Sequence, residues 1–104
     1  MTNIIIRQVI GRTLVDANRE GYAFELNRVE GHWQLRIQGM IREQADMIRS
    51  FIEDSNIFYI EEEPGQPVRK WWLYDKLQPL VDYEEKEQRL SIRLDTMTSY
   101  SNHG

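Results

Sequence analysis

The sequence predicts an α+β fold: an antiparallel, twisted β-sheet of about five to six strands with one amphipathic α-helix packed on one face. Two observations lead to this prediction. Apolar and polar residues alternate with a period of two in several segments joined by short turns, and only one segment has the three-and-four spacing of an amphipathic helix. Such short connections favour antiparallel hairpins over a parallel sheet with crossover helices.

The first elements are all predicted strands. Residues 3–15 are rich in Ile and Val and read as a strand that is broken or bulged at Gly11. Residues 22–27 and 33–38 each place an aromatic or aliphatic side chain at every second position, and Gly31 can supply the positive φ of a tight turn between them. This pattern predicts a β-hairpin with one buried face and one polar face.

A helix is predicted next, over residues 41–54. Its apolar residues form a single stripe and are Ile41, Ala45, Ile48, Phe51 and Ile52. We expect this stripe to cover the sheet. Arg42 and Asp46 lie four residues apart on the opposite side of the helix, where an ion pair of opposite charges adds a few tenths of a kcal/mol.

The remaining pattern is again typical of strands. Residues 57–60 and 68–74 read as strands on either side of a Pro-Gly loop at 64–67, and residues 89–94 alternate cleanly. Residues 79–88 fit either a short helix that begins at Pro79 or a strand hairpinned to 90–94, and we favour the hairpin. We assign residues 1–95 to a single domain and 96–104 to a polar, frayed C-terminal tail.

Length and composition restrict the class of protein. A chain of 104 residues fits one domain, and 29% charged with 40% apolar residues is a globular composition. The chain has no cysteine, so disulfides, cysteine–zinc sites and thiol nucleophiles are excluded. With no signal-peptide pattern and no run of about 20 apolar residues, we expect a cytoplasmic protein that does not associate with membranes.

The charge is unevenly distributed along the chain. The net charge is −4, and residues 53–104 hold eleven acidic and six basic residues. An acidic surface of this kind repels nucleic acid and anionic membranes, which makes nucleic acid a disfavoured partner. It could face a basic partner protein, or it could be a solvated surface that maintains solubility.

Candidate catalytic and metal-binding groups are sparse. His32 and His103 are the only histidines, and we interpret His32 as an exposed turn residue rather than a general base. Glu61, Glu62 and Glu63 are carboxylates suited to hard cations, but consecutive strand residues point to opposite faces and do not converge on an ion. We therefore predict no catalytic residue, no metal and no cofactor.

The most unusual local feature is the run of cationic and aromatic residues at 69–74. On a strand, Trp72 and Tyr74 face one way while Trp71 and Leu73 face the other, so one set enters the core. An exposed tryptophan or tyrosine beside Arg69 suits a protein–protein hot spot. Aromatics beside cations can also stack on the bases of single-stranded nucleic acid.

A second candidate surface is the polar face of the predicted sheet. Arg36 and Arg93 occupy outward positions of two strands, together with Gln34, Gln38 and Arg89. If the strands are neighbours, this face could dock an acidic partner or RNA. We favour the alternative that these arginines pair with the glutamates of the chain itself.

These observations favour a small non-catalytic binding protein, of the inhibitor, immunity or adaptor type, that acts through a protein–protein interface. The alternatives are a single-stranded nucleic-acid-binding module that uses residues 69–72, and a homodimeric structural protein. The predicted partner-binding residues share an outward position or a charged or aromatic side chain, and are Arg69, Trp71, Trp72, Tyr74, Glu61, Glu62, Glu63, Arg36 and Arg93.

Overall fold

The computed structural model describes residues 1–99, which form nine strands, two α-helices and one 3₁₀ turn. The strands are β1 (Thr2–Gln8), β2 (Thr13–Asp16), β3 (Ala23–Val29), β4 (His32–Gln38), β5 (Ser55–Glu61), β6 (Arg69–Tyr74), β7 (Leu80–Glu84), β8 (Arg89–Leu94) and β9 (Thr96–Ser99). The helices are α1 (Ala17–Glu20) and α2 (Arg42–Phe51), and the 3₁₀ turn at Ile52–Asp54 follows α2 directly.

The strands form two antiparallel sheets, whereas the sequence pattern predicts one. A five-stranded sheet has the order β2-β1-β5-β6-β9, and a four-stranded sheet has the order β3-β4-β8-β7. The prediction of antiparallel pairing is confirmed. The single sheet of about five to six strands is wrong, because period-two alternation reveals which side chains are buried but not what buries them.

A single hydrophobic core joins the two sheets. Ile4, Ile6 and Leu73 of the five-stranded sheet and Leu35 and Ile92 of the four-stranded sheet are each at most 1% exposed and belong to one cluster. The two sheets therefore cover each other's inner faces, as in other sandwiches.

The predicted position of the helix is also wrong. The α2 helix contacts β2 and β7, which are edge strands of different sheets, so it closes the gap between the sheets instead of covering a face. Gln44 Nε2 donates to the Leu14 carbonyl at 3.0 Å, and Arg42 pairs with Glu85 in the turn between β7 and β8. Of the predicted apolar stripe, Ala45, Ile48 and Ile52 are buried, whereas Ile41 and Phe51 are 50% and 36% exposed, so the expected burial of these two residues is wrong.

The predicted hairpins are confirmed. In the β3–β4 turn, Glu30 and Gly31 both have positive φ, 47° and 85°, which is the signature of a type I′ turn. Strands β7 and β8 also form a hairpin, so residues 79–88 do not form a helix. The break at Gly11 separates β1 from β2, which pair with each other.

Two elements have no counterpart in the sequence interpretation. The α1 helix lies between β2 and β3, with the Asp16 side chain accepting from the Arg19 amide at its start and Gly21 in the left-handed region at its end. Strand β9 pairs with β6, so residues 96–99, assigned above to the polar tail, belong to the five-stranded sheet. Residues 100–104 of that tail lie outside the described residues.

Within residues 1–99, no helix has the length and apolar character needed to span a bilayer.

Candidate functional site

The outer face of the five-stranded sheet carries apolar side chains. Ile5, Phe58 and Trp72 stand side by side on β1, β5 and β6. They alternate with Ile4, Ile57 and Leu73, which are at most 2% exposed, so they point away from the core. We define the aromatic face by its five outward side chains: Ile5, Phe58, Ile60, Trp72 and Tyr74.

The rings on the aromatic face contact one another and a cation. Trp72 and Tyr74 lie with centroids 4.4 Å apart and planes inclined by 33°, and Trp72 is 37% exposed. Lys70 Nζ lies 4.2 Å from the centroid of the Phe58 ring. The negative faces of aromatic rings attract cations, and this contact occurs on the same surface of the sheet.

A cleft of about 490 Å³ adjoins the aromatic face where β5 begins and β6 ends. Trp72 and Tyr74 belong both to the face and to this end cleft. Its other lining residues come from the β1–β2 turn, the 3₁₀ turn, β5 and the loop after β6, and are Val9, Ile52, Glu53, Ser55, Asn56, Ile57, Leu73, Asp75, Lys76, Leu77 and Pro79.

The rims of the end cleft expose aliphatic side chains to solvent. Val9 is 70% exposed and Leu77 is 95% exposed, whereas Ile57 and Leu73 in the lining are almost fully buried. Burying a leucine side chain is favourable by about 1.5–3 kcal/mol. Folding does not bury Leu77, so a partner that covers this side chain would gain this free energy on binding. Exposed aliphatic rims beside an aromatic surface are typical of interaction sites.

Hydrogen bonds fix both rims of the end cleft. The Val9 amide donates to the Asp54 carbonyl at 2.8 Å, which attaches the β1–β2 turn to the 3₁₀ turn. On the other side, Asp75 Oδ1 accepts from the amides of Leu77 and Gln78 at 3.0 and 3.1 Å. A site whose backbone is already held requires less ordering when a partner binds.

Asp95 supports the same loop from the strand junction between β8 and β9. Its carboxylate accepts from the Thr96 hydroxyl at 2.7 Å and from the Lys76 amide at 3.3 Å. The hydrogen bond from Thr96 is the main cause that holds the pKa of Asp95 below its usual value; desolvation opposes this shift, and the hydrogen bond from the Lys76 amide adds to the lowering. The ionised form of Asp95 is therefore the one that holds the loop.

The predicted partner-binding residues lie in three separate places. Trp72 and Tyr74 are on the aromatic face, and Arg69 lies at the opposite end of the same strand. Trp71 is on the inner face, where its ring is 5.5 Å from that of Tyr59. The alternation of the two tryptophan faces is as predicted, and the outward set is the one that contains Trp72.

The glutamate run lies at the far end of β5, away from the end cleft. Glu61 pairs in register with Arg69, and both line a shallow depression of about 100 Å³ together with Glu63. The backbone amide of Glu62 donates to the Met1 carbonyl at 2.7 Å. About five residues of strand, roughly 17 Å, separate this group from Tyr74, so a single cleft does not include both.

The arginines of the second candidate surface lie on the outer face of the four-stranded sheet, on the other side of the molecule. Arg36 pairs in register with Glu25 on one side and with Ser91 on the other, and Asp82 follows in the same row. One row further along, Arg89 forms an ion pair with Glu84. Arg93 lies in the row on the other side of Arg36, beside Gln34 and Leu80. Carboxylates are thus interleaved with the arginines on this face.

The catalytic candidates are not brought together. Within residues 1–99, no three His, Asp or Glu side chains are grouped so that they could hold a metal ion. A carboxylate pair such as Glu25 and Glu61 could perform acid–base chemistry only if the two side chains met. Glu25 belongs to the outer face of the four-stranded sheet, whereas Glu61 lies at the end of β5 in the other sheet. His32 is the first residue of β4 and pairs with Val29 beside the type I′ turn.

The sequence interpretation missed the residues that complete the site. Ile5, Phe58 and Ile60 carry a signal, because β1 and β5 are apolar on both faces and one helix cannot cover a whole sheet. Val9, Glu53 and the loop after β6 carry no such signal, since only the fold places them around one cleft.

Searches of protein-family models, of curated proteins and of solved structures each find no match to this chain.

Proposed function

We propose that this chain is a non-catalytic binding protein that docks another protein with the aromatic face and the adjoining end cleft. The observation that carries the proposal is the pair of contacting rings of Trp72 and Tyr74, which belongs to both surfaces and joins them. Tryptophan and tyrosine are enriched at the centres of protein interfaces because they bury a large area with few rotatable bonds.

The small area of the aromatic face indicates that a partner protein would contact the aromatic face and the end cleft together. Three strands spaced about 4.8 Å apart and about five residues long cover roughly 240 Å² in projection. One partner in a standard interface contributes about 800 Å². The aromatic face alone is too small, so the partner also contacts the cleft rims at Val9 and Leu77.

Neither alternative has comparable support. On the outer face of the four-stranded sheet, Glu25, Asp82 and Glu84 lie among the arginines and would repel phosphates. The end cleft beside the aromatic face is lined by the carboxylates of Glu53 and Asp75. Pairing with a second copy would bring two chains of net charge −4 together.

Affinity capture with matched leucine variants tests the proposal. The wild-type chain, Leu77→Ala, Trp72→Ala and the control Leu80→Ala are each used to capture proteins from a lysate of the cells that encode the chain. Leu77 and Leu80 are both exposed, at 95% and 62%, but Leu80 lies on the outer face of the other sheet. We expect the first two variants to lose a partner that the control retains. Equal recovery by all four proteins contradicts the proposal.

Light scattering on the purified chain tests the homodimer in parallel. We expect a monomer at micromolar concentration. A dimer that Trp72→Ala dissociates would assign the aromatic face to a second copy instead of a foreign protein.

A further inference from the structure

The end cleft combines exposed aromatic rings with carboxylates on its rim. Glu53 and Asp75 line it, and among its described lining residues Lys76 is the one cation. Within residues 1–99, neither Glu53 nor Asp75 forms an ion pair. Asp54 and Asp95 lie next to the rims and add negative charge. The charged residues that line the cleft are thus two carboxylates and one ammonium group, a net charge of −1 beside its apolar lining.

Asp75 retains accepting capacity despite its role in the loop. Its Oδ1 atom accepts from two backbone amides, and an ionised carboxylate has about four acceptor sites on its two oxygens. Its second oxygen can therefore accept a hydrogen bond from a cation in the cleft without breaking the loop.

The contacting rings of Trp72 and Tyr74 add a second attraction for a cation. Trp72 and Tyr74 both line the cleft, and tryptophan is the strongest aromatic partner for a guanidinium or ammonium group. The Lys70–Phe58 contact, at 4.2 Å, is an example of this interaction on the neighbouring part of the sheet.

We infer that the end cleft receives an arginine or lysine side chain from a basic loop of the partner protein, with its charged group between the Trp72–Tyr74 rings and the carboxylates of Glu53 and Asp75. Aliphatic residues beside that cation contact Val9 and Leu77. This inference rests on the proposed function and specifies the chemistry of the partner.

Charge complementarity favours this occupant over the others. Phosphates of a nucleic acid would meet Glu53 and Asp75 and be repelled. A second copy docked through the same cleft would bring two sets of carboxylates together. A basic protein loop is attracted by both the rings and the carboxylates.

A peptide titration tests the inference directly. The probe is the capped peptide Leu-Arg-Leu-Arg-Leu, titrated into ¹⁵N-labelled full-length chain, and the control peptide has Glu in place of both Arg. We expect the Arg peptide to shift the Trp72 indole and the Leu77 amide, and to bind at least about tenfold more tightly than the Glu peptide. Equal binding of the two peptides, or shifts confined to other residues, would overturn the inference.

Substitutions of the charged rim residues should change the affinity for the Arg peptide in opposite directions, depending on the sign of the charge removed. Glu53→Gln and Asp75→Asn each weaken binding of the Arg peptide about two- to fivefold, and Asp75→Asn keeps the Oδ1 acceptor that holds the loop. Lys76→Gln strengthens binding by a similar factor, because it removes the cation from the cleft. The matched control Glu63→Gln, at the opposite end of the sheet, leaves binding unchanged. If the rim variants behave like the control, the inference is wrong.

The same variants separate this inference from the proposed function. Once a partner has been captured, its dissociation constant is measured for Trp72→Ala and for the double variant Glu53→Gln with Asp75→Asn. If Trp72→Ala weakens partner binding but the double variant does not, the proposed interface stands and the inference of a cationic partner loop is wrong. If Trp72→Ala and the double variant both bind the partner as tightly as the wild type, the proposed function is wrong as well. Shifts of the Trp72 indole by a thymidine oligonucleotide comparable to those by the Arg peptide would also overturn the inference.

Discussion

Leu73 and Leu77 lie four residues apart, and we expect their replacement by alanine to have opposite effects on folding and on binding. Leu73 is 1% exposed within the core, whereas Leu77 is 95% exposed on the rim of the end cleft. The same chemical change therefore removes core packing at one position and interface contact at the other.

The magnitudes follow from burial. Removing a fully buried leucine costs about 2–5 kcal/mol, since the cavity adds to the lost transfer energy. For a domain of this size, Leu73→Ala should lower Tm by about 10–30 °C. Leu77→Ala should change the free energy of unfolding by less than about 0.5 kcal/mol. If the partner buries Leu77, its truncation weakens binding by about tenfold.

The assay is urea unfolding of both variants, with Leu80→Ala as an exposed control, followed by measurement of partner affinity for the variants that fold. A loss of more than about 1 kcal/mol for Leu77→Ala would show that this leucine stabilises the fold, which would refute the reasoning from exposure. A Leu73→Ala variant as stable as the wild type would refute the placement of the core.

Three further perturbations test the fold around the site. Glu30→Asn should stabilise the chain by a few tenths to 1 kcal/mol in urea unfolding, because Asn-Gly suits the two positive φ angles of the type I′ turn that Glu30 and Gly31 now form; a destabilised variant would contradict this turn. Tyr83→Phe should cost about 0.5–1.5 kcal/mol in thermal unfolding, because it removes the 2.6 Å hydrogen bond to the Met40 carbonyl; an unchanged Tm would contradict that bond. The folded pKa of Asp95 lies below its usual value, so its stabilising effect is present at neutral pH and is lost as pH falls below about 4 through that folded pKa. Amide shifts of the loop after β6 should report this transition, and Asp95→Asn should abolish it; an identical pH profile in the variant would assign the transition to another group.

Hairpins are predictable when local chemistry specifies them, as at Gly31, where a tight turn needs positive φ between two alternating segments. Strand β9 is not predictable from the sequence, because residues 96–99 are mostly polar and become a strand only by pairing with β6. Likewise, the α1 helix depends on Asp16 and Gly21 as caps over a single turn, which reads equally well as a loop.

For the site, the sequence determined the opposite orientations of Trp71 and Trp72, since side chains alternate along any strand. Which of the two tryptophans faces inward and which outward, and the grouping of Trp72 and Tyr74 with Val9, Glu53 and the loop after β6, required the tertiary structure. The physical reason is that local periodicity fixes which side chains share a face, whereas the long-range pairing of β1, β5 and β6 decides what lies against that face. Here the second sheet covers one face of these strands, α2 closes the gap between the sheets, and the side chains of the aromatic face, including Trp72 at 37% exposed, lie on the opposite face.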